Sequence, residues 1–66
     1  MIEFKVEDMT CGHCAGVIGK AVKSVEPGAR LEVDLAARRV RIDGQAEAAE
    51  FADAIREAGY TPVEVN

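Results

Sequence analysis

The first eight residues alternate. Ile2, Phe4 and Val6 are apolar, whereas Glu3, Lys5 and Glu7 are charged. A period of two sends one set to a core and the other to water, which predicts a strand over residues 2–8. From residue 13 to 24 the period lengthens. Cys14, Val17, Ile18, Ala21 and Val22 recur at helical spacing, and Val25 prolongs the stripe, so an amphipathic helix is expected there. Pro27-Gly28 ends it in a turn. Leu31, Val33 and Leu35 alternate with Arg30, Glu32 and Asp34 as a second strand; Val40 and Ile42 alternate with Arg39, Arg41 and Asp43 as a third. The link Ala36-Ala37-Arg38 is a short hairpin without the Asn-Gly or Asp-Gly of a primed turn. Asp43-Gly44 makes the next turn. Residues 46–58 carry Ala48, Phe51, Ala52, Ile55 and Ala58 on one helical stripe, with Gly59 placed at C′, where positive φ is cheap only for glycine. Residues 60–65 read as a last strand. Pro62 cannot donate to a ladder, so this strand belongs at an edge.

The order is β-α-β-β-α-β, an α+β ferredoxin-like sandwich filling residues 1–66 as one domain. Both helices should cover one face of a four-stranded antiparallel sheet. The other face should be polar, carrying Glu3, Lys5, Glu7, Glu32, Asp34, Arg39 and Arg41. With the first and third strands as central neighbours, Glu3 and Glu7 should stand beside Arg39 and Arg41.

Composition narrows the function. A chain of 66 residues buries only about 60% of its unfolded surface. It has no Trp, and its aromatics are Phe4, Phe51 and Tyr60, so the core must come largely from Val, Ile, Leu and Ala. A net charge of −4 argues against nucleic acid. Residues 1–24 are balanced: Glu3, Glu7 and Asp8 against Lys5, Lys20 and Lys23. The acidic excess lies further on, much of it in Glu47, Glu50, Asp53 and Glu57. A partner at the cysteines would then meet Lys20 and Lys23. No run is long enough to insert in a membrane, and the first residues are a strand pattern rather than a leader. The expectation is a complete cytoplasmic protein, where a structural disulfide is rare.

Both cysteines and the single histidine fall within Met9-Thr10-Cys11-Gly12-His13-Cys14. Two thiols at this spacing either hold a soft metal ion or form a reversible disulfide. Cys14 lies in the first helical turn and Cys11 just before it, where unpaired N–H groups and the helix dipole favour thiolate. Gly12 lets the loop bend. Two soft thiolates without a hard-oxygen cage suit Cu(I). Zn(II) is a poorer fit, since it usually takes four ligands and the neighbourhood adds only His13 and Asp8.

With these residues in view, the whole chain resembles the heavy-metal-associated domain family, and within it the small bacterial copper chaperones. The resemblance rests on Met9-Thr10-Cys11-Gly12-His13-Cys14 after the first strand, on the element order, and on Ala58-Gly59-Tyr60 before the last strand. It implies Cu(I) ligation by Cys11 and Cys14, Met9 packed beneath the loop, and Tyr60 approaching from the opposite loop. It also implies ligand exchange with a CxxC-bearing acceptor such as a copper-transporting P-type ATPase. Arg38 departs from the family, which often has glycine in that hairpin; this touches the turn, not the metal site.

Other readings stand beside this one. Cys11-Gly12-His13-Cys14 is also a redox motif of disulfide isomerases, which makes a small dithiol-disulfide oxidoreductase the main competitor. Thr10 stands where those enzymes usually have an aromatic. A zinc- or mercury-handling domain, a metal sensor or a regulatory domain of a transporter uses the same fold. Helical neighbours diverge, so His13 should point away when Cys14 points in; a copper-bridged homodimer is the setting that would recruit it. Met9 is expected in the core rather than on the metal. The protein is expected to be a carrier and not an enzyme.

Overall fold

Alternating β-branched and charged residues give four short strands, and the two apolar stripes give two helices. The computed structural model describes residues 2–10 and 12–65. The elements are β1 (Ile2–Val6), α1 (Gly12–Val25), β2 (Arg30–Asp34), β3 (Arg39–Asp43), α2 (Ala48–Glu57) and β4 (Pro62–Val65). The antiparallel sheet has the order β2-β3-β1-β4. β1 and β3 are therefore central, and Pro62 lies on an edge strand, as its missing donor requires.

Register places the chemistry on two faces. Phe4 pairs with Val40 and Ile2 with Ile42, while Leu31 pairs with Ile42 and Val33 with Val40. This apolar face meets Ile18 and Val22 of α1 and Phe51, Ala52 and Ile55 of α2 in one buried cluster. Each fully buried Val, Ile or Phe side chain contributes about 1.5–3 kcal/mol by leaving water. On the other face Glu3 is opposite Arg41 and accepts from Arg39 at 2.7 Å and from Arg41 at 3.2 Å.

Several boundaries differ from the periodic reading. β1 stops at Val6 because the Met9 N–H turns back onto the Val6 carbonyl at 3.1 Å. Glu7 therefore lies beyond the strand and pairs with Lys5 at 3.3 Å rather than with an arginine. β4 starts at Pro62 because Tyr60 belongs to the end of α2: its N–H reaches the Ile55 carbonyl at 3.2 Å, and that of Gly59 reaches Arg56 at 3.0 Å. Gly59 has φ of 100°. This pair of bonds is the Schellman motif, which satisfies orphan carbonyls only if the residue between adopts positive φ. α2 starts at Ala48, with the first residue of its apolar stripe, rather than at residue 46. The β2–β3 link is a four-residue loop closed by the Asp34–Arg39 pair. Its turn chemistry comes from Asp34, whose Oδ1 accepts from the Ala37 N–H at 3.1 Å.

Candidate metal centre

The direction of each strand brings three connections to one end of the molecule: β1 to α1, β2 to β3, and α2 to β4. Long-range bonds join them. The Val6 N–H donates to the Arg38 carbonyl at 2.8 Å, Arg38 Nη1 to the Glu7 carbonyl at 3.2 Å, and the Thr61 N–H to Asp8 Oδ1 at 3.3 Å. The last bond sets the Tyr60-Thr61 segment beside the chain that leads into the cysteines, and it occupies the carboxylate weighed as a hard ligand.

Cys14 is the third residue of α1. It shares a face with Ile18 and Val22, one and two turns on, and packs half-buried against the core they belong to. Its side chain thus stands at the head of the apolar stripe, where the core meets the surface. His13, one residue back and therefore about 100° around the helix, is exposed, as are Thr10 and Gly12. Met9 is completely buried, in line with a core role. Tyr60 is half-buried against the same cluster. Cys11, the other expected ligand, lies outside the described residues. Among the described residues no group of three or more His, Cys, Asp or Glu side chains converges as a metal site.

Lys23 lies away from the place expected for it. It is nine residues beyond Cys14, about 13 Å along the helix axis at 1.5 Å per residue, and its Nζ donates to the Ala29 carbonyl at the far end. The charged residues flanking the cysteine loop are Glu7, Asp8 and Arg38, all exposed. The bonds that Arg38 and Asp8 make across these loops are not legible in the periodic pattern. Arg38 carried a signal, being a bulky residue in a tight hairpin. A concavity of about 450 Å³ on the β2–β3 side is lined by Glu32, Val33, Asp34, Leu35, Arg39 and Arg41 and does not include Cys14. Among the described residues no helix is long and apolar enough to cross a membrane.

Residues 3–61 match the heavy-metal-associated domain. The chain belongs to that family. It is 31% identical over 61 residues to the copper chaperone CopZ of Staphylococcus aureus, covering 88% of this chain and 90% of CopZ. It is 38% identical over 61 residues to the copper-transporting ATPase 2 of Rhizobium meliloti, covering 89% of this chain but 7% of the ATPase. Among solved structures, a trimeric form of a variant of the copper chaperone Atx1 from Synechocystis PCC6803 superposes with a TM-score of 0.93 at 30% identity, covering 96% of this chain and all of that one. The ferredoxin-like sandwich read from the alternation is the fold of these relatives.

Proposed function

We propose that this chain is a cytoplasmic carrier of Cu(I) rather than an enzyme. In this reading the single domain 1–66 holds the ion between the sulfurs of Cys11 and Cys14 and passes it to an acceptor with its own CxxC, such as a copper-transporting P-type ATPase. The observation that carries the reading is the position of Cys14 at the head of the core-facing stripe of α1, three residues after Cys11, on a chain of this family. Its likeness to both a free-standing chaperone and a short stretch of an ATPase supports a partner built on the same fold.

The exchange needs no redox step. A thiolate of the acceptor donates an electron pair to the bound ion and forms a third Cu–S bond. One donor cysteine then breaks its Cu–S bond and leaves as thiolate, free to take a proton from water. A second acceptor thiolate displaces the second donor in the same way, and copper stays monovalent. Two protein ligands leave the ion open to attack, which a closed four-ligand zinc site does not. Met9 supports the loop from the core, exposed Thr10, Gly12 and His13 border the ligands, and Tyr60 limits water from the α2–β4 side.

An anaerobic Cu(I) titration against a competing chelator tests the reading. Wild type should bind tightly. Cys11→Ser and Cys14→Ser should each lose tight binding with an unchanged circular dichroism spectrum. Tight binding retained by either variant refutes the two-sulfur site. A wild type that ignores Cu(I) but reduces insulin favours the oxidoreductase.

A further inference from the structure

Arg38 closes the β2–β3 loop with φ of 56°, the left-handed region that bulky L residues enter at a cost and glycine enters freely. Such strain persists only where the surroundings hold it. Two of its bonds use the backbone: its carbonyl accepts from Val6 at 2.8 Å and its N–H donates to Leu35 at 3.2 Å. Glycine would make both. The third does not survive that replacement: guanidinium Nη1 donates to the Glu7 carbonyl at 3.2 Å, across 31 residues of sequence. Glu7 opens the segment that runs through Met9 to the two cysteines. The cross-loop ties on that segment, from Arg38 to Glu7 and from Thr61 to Asp8, precede the ligands by only a few residues. A site is as well defined as the groups that hold its loop.

We infer that Arg38 is a positioning residue for the metal-binding loop: its side chain anchors the Glu7–Met9 segment, and the left-handed backbone is tolerated for that anchor. The inference rests on reading the loop as the metal site, but its first test needs no metal. Native-state hydrogen exchange of the metal-free protein follows the Met9 amide, which is bonded to the Val6 carbonyl. Arg38→Gly removes strain and anchor together. It should melt at or above the wild-type temperature, while the Met9 amide exchanges about fivefold faster, the scale of one lost hydrogen bond. Arg38→Lys keeps a donor of similar reach and should restore Met9 exchange to near the wild-type rate. Unchanged Met9 exchange in Arg38→Gly overturns the inference. So does a lower melting temperature with acceleration throughout β1 and β3, which would make Arg38 a general support.

Cu(I) transfer to excess chelator provides the second readout. The rate should change severalfold in Arg38→Gly and recover in Arg38→Lys; equal rates in all three proteins overturn the positioning role. Failure of wild type to bind Cu(I) sinks the metal reading alone, and the exchange data still decide on the Arg38 anchor.

Discussion

At the end remote from the cysteines, one carboxylate gathers several backbone donors. Glu26 Oε1 accepts from the Gln45 N–H at 2.8 Å and the Ala46 N–H at 2.7 Å, and Oε2 lies 3.0 Å from the Gln45 nitrogen. Lys23 closes the same end on the Ala29 carbonyl. A Cβ at Gly44 would stand 3.0 Å from both Glu26 oxygens, so a side chain there would push the carboxylate a few tenths of an ångström out of place. At the cysteine end the side-chain ties are single and longer: 3.2 Å from Arg38 and 3.3 Å to Asp8. Two backbone sites there, Arg38 and Gly59, carry positive φ. The ties at both ends are charge-assisted, but Glu26 gathers two shorter backbone donors where the cysteine end has single, longer ones. The molecule is thus clamped where no metal chemistry is proposed and lightly tethered where the proposed ligand exchange would take place. Loops that exchange ligands are drawn from the less stable parts of a fold.

The contrast can be broken at the clamp first. Glu26→Ala leaves the Gln45 and Ala46 N–H groups without their acceptor. It should cost about 1–3 kcal/mol of stability, read by urea denaturation, while Cu(I) affinity of the folded protein stays at the wild-type value. Loss of affinity without loss of stability would contradict the separation of the two ends.

A smaller effect is expected at the cysteine end. Gly59 has φ of 100° with no atom within 4 Å of an added Cβ, so Gly59→Ala introduces strain without a clash. It should destabilise by about 1–2 kcal/mol. It should also loosen the Tyr60 and Thr61 amides, seen as faster hydrogen exchange there than at Gln45 and Ala46. Uniform exchange across both ends would mean that they are one cooperative unit.

The smallest effect lies between the ends, on the polar sheet face. The hydrogen bond from Arg39, helped by Arg41 and opposed by partial burial, holds the Glu3 carboxyl below its ordinary value of 4.5. A depressed carboxylate stabilises the folded state fully above its unfolded pKa, and that contribution is lost as pH falls through the folded value. Glu3→Gln should therefore be less stable than wild type near pH 7, with the gap closing as the pH drops below 4.5. Melting temperatures of both proteins across that range check the sign; a gap that widens in acid would refute the pairing.

The periodic patterns made most of this fold legible in advance. Alternation and helical spacing are local and survive in a single chain, so the six elements, the polar sheet face and the edge position of Pro62 could all be read before any coordinates. The cysteine motif was legible for the same reason, because its residues are neighbours in sequence. Element ends were less clear: Met9 turning back onto Val6 and Tyr60 completing the cap of α2 depend on backbone bonds that hydropathy does not record. The pairing foreseen for Glu7 failed because the strand ended before it.

The amino-acid order alone determined which residues face the core, where glycine ends α2, and that Cys14 falls in the first turn of α1. Only the tertiary structure decided what holds the entry to that helix in place. The anchors from Arg38 and Thr61, and the Glu26 clamp opposite, join residues 19 to 53 positions apart. Such contacts exist only once the antiparallel register has brought three loops to one end and two to the other. Local periodicity specifies faces, whereas the meeting of distant loops is a property of the closed sheet.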